Sequence, residues 1–367
     1  MQQETSRRRW IRQTTLALGG LAIAPRIMAG EYTAGRAVST IRLHANENPY
    51  GPSSMAAKAM QLAVQSSNCY PWEVTTELRE KIAGMHGLTK ENILIGAGSS
   101  EILGITAQYA GMRKGNAVTA DPTFGIWFAS AQHAGLDIIK IPLTHDKKHD
   151  LQRMKESIND QTRLVYICNP NNPTGTVVPA EELKQFITSI NTQVTILLDE
   201  AYTEYSDEPS LASLVKTQPN LIIAKTFSKI YGLAGGRIGY GLADKNIISR
   251  LNEIQPWANA GASAVSLAGA LASINDTAFI HLSKTKNAEA RELVTTRFKE
   301  MGIAFIPSHT NFLYYSLQQQ KKDLLAALAS ANIRAGRITE ENGKWSRVSI
   351  GTKNDMQQFL QIVNQSF

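Results

Sequence analysis

Lys229 sits in Thr226-Phe227-Ser228-Lys229, and Gly232-Leu233-Ala234-Gly235-Gly236-Arg237-Ile238-Gly239 follows it. A lysine among small and apolar residues can lose its proton, because burial and nearby positive charge both disfavour the ammonium, and the free amine is a nucleophile. The hydroxyls of Thr226 and Ser228, with the Arg237 guanidinium, would clamp a dianion. Surface solvation is the ordinary fate of a lysine, but four glycines in the following stretch argue against it here. Asp199-Glu200-Ala201-Tyr202 comes directly after the apolar run Thr195–Leu198. A carboxylate there is costly unless it meets a cation or a hydrogen-bond donor, so Asp199 is either a helix cap or one half of a polar pair. Asn169-Pro170-Asn171-Asn172-Pro173-Thr174-Gly175 is a rigid turn whose amides can donate to a fixed oxygen. Turn geometry accounts for its prolines and glycine, not for three asparagines. Finally, Gly96-Ala97-Gly98-Ser99-Ser100-Glu101 opens a helix. Its glycines admit a close backbone approach and Ser99 or Ser100 can cap, leaving an anion cradle at the helix start. By itself this last motif is no more than a cap.

Each of these motifs follows a short apolar segment. Strands are expected at Ile93–Ile95, Ala117–Thr119, Asp137–Ile141, Leu164–Ile167, Val194–Leu198 and Leu221–Ala224. Between them lie helical patterns at Thr76–Met85, from Ser99, and at Ile126–Ala134, Leu151–Ile158 and Ala180–Ile190. Such alternation predicts a mostly parallel sheet covered on both faces, with ligands beyond the carboxyl ends of its strands. Past residue 260 the chain reads as helical, at Ala262–Ala272 and then on to Lys299. A strand pair follows around Phe312–Tyr315 and Arg347–Ile350, giving a smaller α+β unit. At 367 residues, two packed units fit a prior of roughly 150 residues each.

Charge is uneven. Five arginines against Glu4 make residues 1–29 carry +4 of the net +7, leaving +3 for all the rest, too little for a nucleic-acid surface. Ser6-Arg7-Arg8-Arg9-Trp10-Ile11-Arg12 resembles the twin-arginine export motif, and the apolar stretch Thr14–Ala24 after it is far below the ~20 residues of a membrane span. Export to the periplasm is therefore expected, with a membrane anchor if the signal stays uncleaved. Cys69 and Cys168 lack metal-ligand spacing, and no bridge between them is expected. Neither an H-E-x-x-H metal pair nor a G-x-S-x-G elbow is present. His86, His133, His145 and His149 are expected at the surface or in caps.

The four motifs, together with Leu43-His44-Ala45-Asn46-Glu47-Asn48-Pro49-Tyr50, Tyr70-Pro71 and Arg347-Val348-Ser349-Ile350-Gly351, run in order from Arg42 to the C-terminus. In this the chain resembles the fold-type I, class I/II aminotransferases that use pyridoxal phosphate, most closely the histidinol-phosphate aminotransferase branch. The resemblance implies an α/β fold in which a large domain, with a mostly parallel seven-stranded sheet, accompanies a smaller α+β domain. After the signal span (1–29), the chain is expected to divide into an arm contributing to the small domain and the dimer contact (30–70), the cofactor domain (71–265) and the small domain (266–367). Lys229 would carry the cofactor as an aldimine, Asp199 would pair with its pyridine nitrogen, and Tyr202 and Asn172 would meet the ring hydroxyl. Phe124, in Asp121-Pro122-Thr123-Phe124-Gly125, would stack on the ring. Gly98, Ser99, Ser100, Thr226, Ser228 and Arg237 would grip the phosphate, with Tyr70 arriving from the partner of a homodimer. Arg347 and Arg334 would contact the substrate, joined by Tyr50 from the other chain of the homodimer. The implied reaction moves an amino group between an amino acid or amine and a 2-oxo acid, with no metal. The alternatives are a decarboxylase of the phosphothreonine type on the same cofactor and, further off, a non-catalytic exported binding protein.

Overall fold

A computed structural model describes residues 40–336 and 343–367, with the backbone of Thr339–Glu340. The twin-arginine motif and the whole signal span 1–29 lie outside the described residues. Residues Thr40–Phe367 pack as one unit.

Apolar runs without polar alternation become strands buried on both faces. In chain order the first eight strands are β1 (Ile41–Leu43), β2 (Ile93–Gly96), β3 (Gly115–Asp121), β4 (Leu136–Pro142), β5 (Thr162–Cys168), β6 (Thr195–Asp199), β7 (Leu221–Thr226) and β8 (Gly239–Ala243). Seven of them form one sheet in the order β2-β8-β7-β6-β5-β3-β4. Neighbours from β7 to β4 are parallel, while β8 runs antiparallel to both β2 and β7. Alternate side chains feed two cores. Val165, Ile167, Ile196, Leu198 and Ile223 pack on one face. Leu164, Tyr166, Leu197, Ile222 and Ala224 pack on the other.

Every strand expected from the sequence is present, extended by one to three residues in most cases, but β8 was not anticipated. Its sequence, Gly239-Tyr240-Gly241-Leu242-Ala243, lacks the bulk that marks a strand. The structure shows why: a Cβ on Gly239 would lie 2.4 Å from the Ser99 amide nitrogen, and one on Gly241 would lie 3.0 Å from Ile102. Glycine here lets the start of helix Ser99–Ala110 come down onto the sheet.

The smaller core holds Leu43, Val294, Phe298, Leu313, Leu328, Val348 and Phe359. Its strands are β9 (Phe305–Ile306), β10 (Phe312–Ser316), β11 (Ile333–Ala335), β12 (Thr339–Glu340) and β13 (Trp345–Ser349). The expected strand pair is β10 against β13, antiparallel, with Tyr314 opposite Arg347. β1 runs parallel to β11, placing Arg42 opposite Arg334 and tying the chain before residue 50 to this second core.

Beneath the sheet's carboxyl edge lies a buried ion cluster. Lys225 Nζ stands 3.1 Å from Glu200 and 3.0 Å from Glu204, with Lys225 and Glu200 each 4% exposed. The two carboxylates hold the Lys225 ammonium well above its usual range despite burial. Replacing Lys225 with methionine would strand two inward-facing carboxylates. The expected loss is about 3–5 kcal/mol of unfolding free energy, read as a lower denaturant midpoint.

Candidate active site

The sheet's topology gathers the motifs. The chain leaves β3 outward to β4 and returns inward to β5, so the strand order switches between β3 and β5. Phe124 follows β3 and Asn172 follows β5; Asp199 ends β6, and Thr226 ends β7. Register places Asp199 beside Cys168 and Ala224. A cavity of about 430 Å³ opens at this edge, lined by Ser99, Ser100, Phe124, Asn172, Asp199, Tyr202, Thr226, Ser228, Lys229, Arg237 and Arg347. Eleven residues singled out from the sequence thus meet in one place.

Asp199 is 1% exposed. Tyr166 Oη donates to its Oδ2 at 3.0 Å and the Ala201 amide to its Oδ1 at 3.1 Å. Burial outweighs these donors and raises the carboxyl to about 6. It therefore works both as a turn cap and as a carboxylate facing the cavity. Lys229 Nζ lies 3.4 Å from the Asn46 carbonyl and 3.5 Å from that of Ala45. Burial first, and then the Arg347 charge, lower this amine to about 8. An amine so placed is a nucleophile near neutral pH.

One end of the cavity is a cup for an anion. Helix Ser99–Ala110 is capped by Gly98, with no side-chain cap bond. Ser99 and Ser100 are therefore its first two residues and not its cap, as the sequence suggested, which leaves first-turn N–H groups open to an anion. Gly98 has φ +83, and a Cβ there would sit 2.4 Å from Arg237 Nη2, so glycine lets the guanidinium close over the loop. Arg237 Nη1 donates to Ser228 Oγ at 3.4 Å, and Thr226 Oγ1 donates to Ser228 Oγ at 3.0 Å.

The three asparagines divide the labour. Asn169 pairs with the backbone of Val178 through both ends of its amide. Asn171 accepts from Thr123 Oγ1 at 2.8 Å and donates to the Pro122 carbonyl at 3.1 Å, locking the Phe124 loop to its own. Asn172 reaches the cavity, where its Oδ1 accepts from Arg347 Nη1 at 2.5 Å and its Nδ2 donates to Tyr202 Oη at 3.5 Å. His149, expected near the surface, is buried instead. Its Nε2 meets the Cys168 carbonyl at 3.0 Å, and burial lowers the ring to about 4. His86 is half-buried and likewise held at about 4, by burial and then by the Lys225 charge.

Four expected contacts lie outside the cavity lining: Gly98, which caps the helix at its rim, and Tyr70, Tyr50 and Arg334. Tyr70 is 64% exposed and packs against Trp72 and Trp257, each ring centroid 5.2 Å away. Tyr50 is half-buried, and Arg334 is exposed on β11. Conversely, Asn46 and Tyr166 touch Tyr202 and Asp199, although no role was read for either from the sequence. Asn46 stood in a motif already noted, Asn46-Glu47-Asn48-Pro49, but nothing local marks which asparagine turns inward.

A doubly wound sheet with a lysine, a carboxylate and an anion cup at its switch point defines a class of cofactor-dependent transferase. The family model for aminotransferase class I and II matches residues 38–363. A histidinol-phosphate aminotransferase from Halalkalibacterium halodurans is 37% identical over 320 residues, covering 86% of each chain. Another, from Brevibacillus brevis, is 36% identical over 89% of this chain and 90% of its own. A crystal structure of the Sinorhizobium meliloti histidinol-phosphate aminotransferase in complex with pyridoxal-5'-phosphate superposes with a TM-score of 0.80 at 26% identity, covering 89% and 91% of the two chains.

The chain belongs to the aminotransferase class I and II family. It is a fold-type I, pyridoxal-phosphate-dependent transaminase, similar to the histidinol-phosphate aminotransferases. The cavity suits that cofactor on its own chemistry, with an uncapped helix start and an arginine for a phosphate, an amine held at about 8 for an aldehyde, and a buried carboxylate for a protonated ring nitrogen.

Proposed function

We propose that this transaminase takes its amino group from an amine bearing an anionic end and passes it to a 2-oxo acid. Histidinol phosphate is the first donor to try, because it names the relatives; an amino acid carboxylate has the same chemistry. The reading rests chiefly on one observation: Arg347, 5% exposed, reaches the cavity that holds Lys229 and Asp199.

In this reading each cavity residue takes one role. Thr226, Ser228, Arg237 and the backbone of Gly98, Ser99 and Ser100 would hold the phosphate, and Phe124 would cover the ring. Asp199 would keep a proton on the ring nitrogen, and Tyr202 and Asn172 would meet the ring oxygen. Bound pyridoxal phosphate supplies an electron sink for the pair left on the substrate carbon. Lys229 carries the proton to and from that carbon. Arg347 would orient the substrate through its anion, with Arg334 contributing from further out and Tyr50 from the other chain of a homodimer. In a homodimer, typical of the family, the exposed Tyr70 serves the partner's phosphate cup. Export by the twin-arginine machinery would place the enzyme in the periplasm.

A half-reaction screen tests the substrate reading. Histidinol phosphate, histidinol and a panel of amino acids are added singly to the coloured enzyme, and the visible band is followed. Anion-bearing amines should bleach it, histidinol much less. Arg347→Gln should lower kcat/KM for them roughly 10- to 100-fold, the worth of a charge-assisted hydrogen bond. Equal bleaching by histidinol would refute the anion requirement, and release of carbon dioxide would establish the decarboxylase alternative. For localisation, Arg7→Lys with Arg8→Lys should leave the protein in the cytosolic fraction; unchanged export would reject the signal.

A further inference from the structure

The hydrogen-bond polarity around Tyr202 can be worked out from groups that have only one possible role. Arginine has no acceptor, so the bond from Arg347 Nη1 must end on the Asn172 carbonyl oxygen and leave the Asn172 Nδ2 towards Tyr202. A second amide is held the same way from the other side. The Asn46 backbone N–H donates to Ser349 Oγ at 2.8 Å, so the Ser349 hydroxyl proton is directed at Asn46 Oδ1, 3.0 Å away. Asn46 Nδ2 is thereby turned to Tyr202 Oη at 3.0 Å. Arg347 and Ser349 lie two apart on β13, on the same side of the strand. One strand therefore sets both amides.

A phenolic oxygen has two lone pairs and one proton. With both lone pairs engaged by N–H donors, the Tyr202 proton is committed to neither amide and is left for the cavity. Asn46 makes the shorter of the two contacts. It is 1% exposed and sits at φ +54, a left-handed conformation that asparagine tolerates better than most residues. Its carbonyl accepts from Asn311 Nδ2 at 3.0 Å, which fixes the backbone as well.

We propose that Asn46, oriented by Ser349, is a positioning residue that accounts for the direction of the Tyr202 proton, turning the phenol into a fixed donor toward the ring of the bound cofactor. The inference rests on the reading that Tyr202 faces that ring. An N–H received by the phenol oxygen also strengthens its O–H as a donor, because linked hydrogen bonds polarise one another. Asn46 thus joins the chain before residue 50 and the small-domain strand β13 to the electronics of a site built on the large sheet.

The experiment is a double-mutant cycle read by spectroscopy rather than turnover. The absorption of the cofactor-loaded enzyme is titrated with pH in the parent, Asn46→Ala, Tyr202→Phe and the double variant. Tyr202→Phe should move the midpoint, and Asn46→Ala should move it the same way by less, about half a pH unit on the scale of one neutral hydrogen bond. In the Tyr202→Phe background, Asn46→Ala should then move nothing. An equal shift in both backgrounds, or none in the parent, overturns the proposal. No shift from Tyr202→Phe instead overturns the placement of Tyr202 against the ring, and the inference with it. Should Asn46→Ala fail to fold, Ser349→Ala decides the matter, since it frees the amide to flip while leaving Asn46 in place. A smaller shift in the same direction supports the proposal, and no shift overturns it.

Discussion

Lys229→Ala should purify without the visible absorption of the parent and should lose about 10² to 10⁴ in turnover, the range of a positioned acid–base group. The structure explains both effects through one amine. Burial and Arg347 lower it to about 8, so its free base is abundant at pH 8, where a solvent-exposed lysine would be almost wholly protonated. The rate at which the apoprotein takes up pyridoxal phosphate should accordingly rise with pH up to about 8 and level off beyond. Absorbance after mixing measures it. A rate still climbing steeply to pH 10 would mean that the amine is not desolvated.

Asp199→Asn should lower turnover by about 10² to 10³, the usual scale for removing a preorganised electrostatic group, without unfolding the protein. Asparagine keeps the shape, and its carbonyl can still accept from Tyr166 or from the Ala201 amide. What goes is the negative charge that holds a proton on the cofactor ring. The effect on the apoprotein has the opposite sign. Burial raises this carboxyl from 3.8 to about 6, so the unfolded chain releases the proton more readily than the folded one does. The group's contribution to folding is therefore full below about pH 4 and is lost as pH climbs through 6. Asparagine removes that loss, and apo Asp199→Asn should melt no lower than the apo parent at pH 7.5. Lower turnover with equal or higher apo stability is the mark of a charge kept for chemistry. A large drop in apo melting temperature would instead make Asp199 a structural residue.

Much of this site could be read along the chain. Strands buried on both faces are largely apolar, so β3, β5, β6 and β7 announce themselves, and the polar residues after them stand out against that background. Lys229, Asp199, Asn172 and Arg237 could be picked in this way because an ionisable or amide group at the end of an apolar run needs a partner. The strand β8 could not, since its glycines are chosen by the helix that lies on it, a contact between segments 140 residues apart from Ser99 to Gly239. Buried His149 escapes the sequence for a similar reason: it lies in a loop, and its partner, the Cys168 carbonyl, is at the end of β5.

What the chain determines alone is which chemistry is available: an amine, a carboxylate, a cup for an anion and the order in which they occur. Only the folded structure decides who orients whom. Asn46 and Asn48 are two positions apart, yet the first turns to Tyr202 and the second to the Ile230 carbonyl and Ser283. Local sequence carries no signal for that choice, because a side-chain amide has the same donors and acceptor wherever it stands. Its direction is imposed by groups brought from distant segments whose own polarity cannot be reversed.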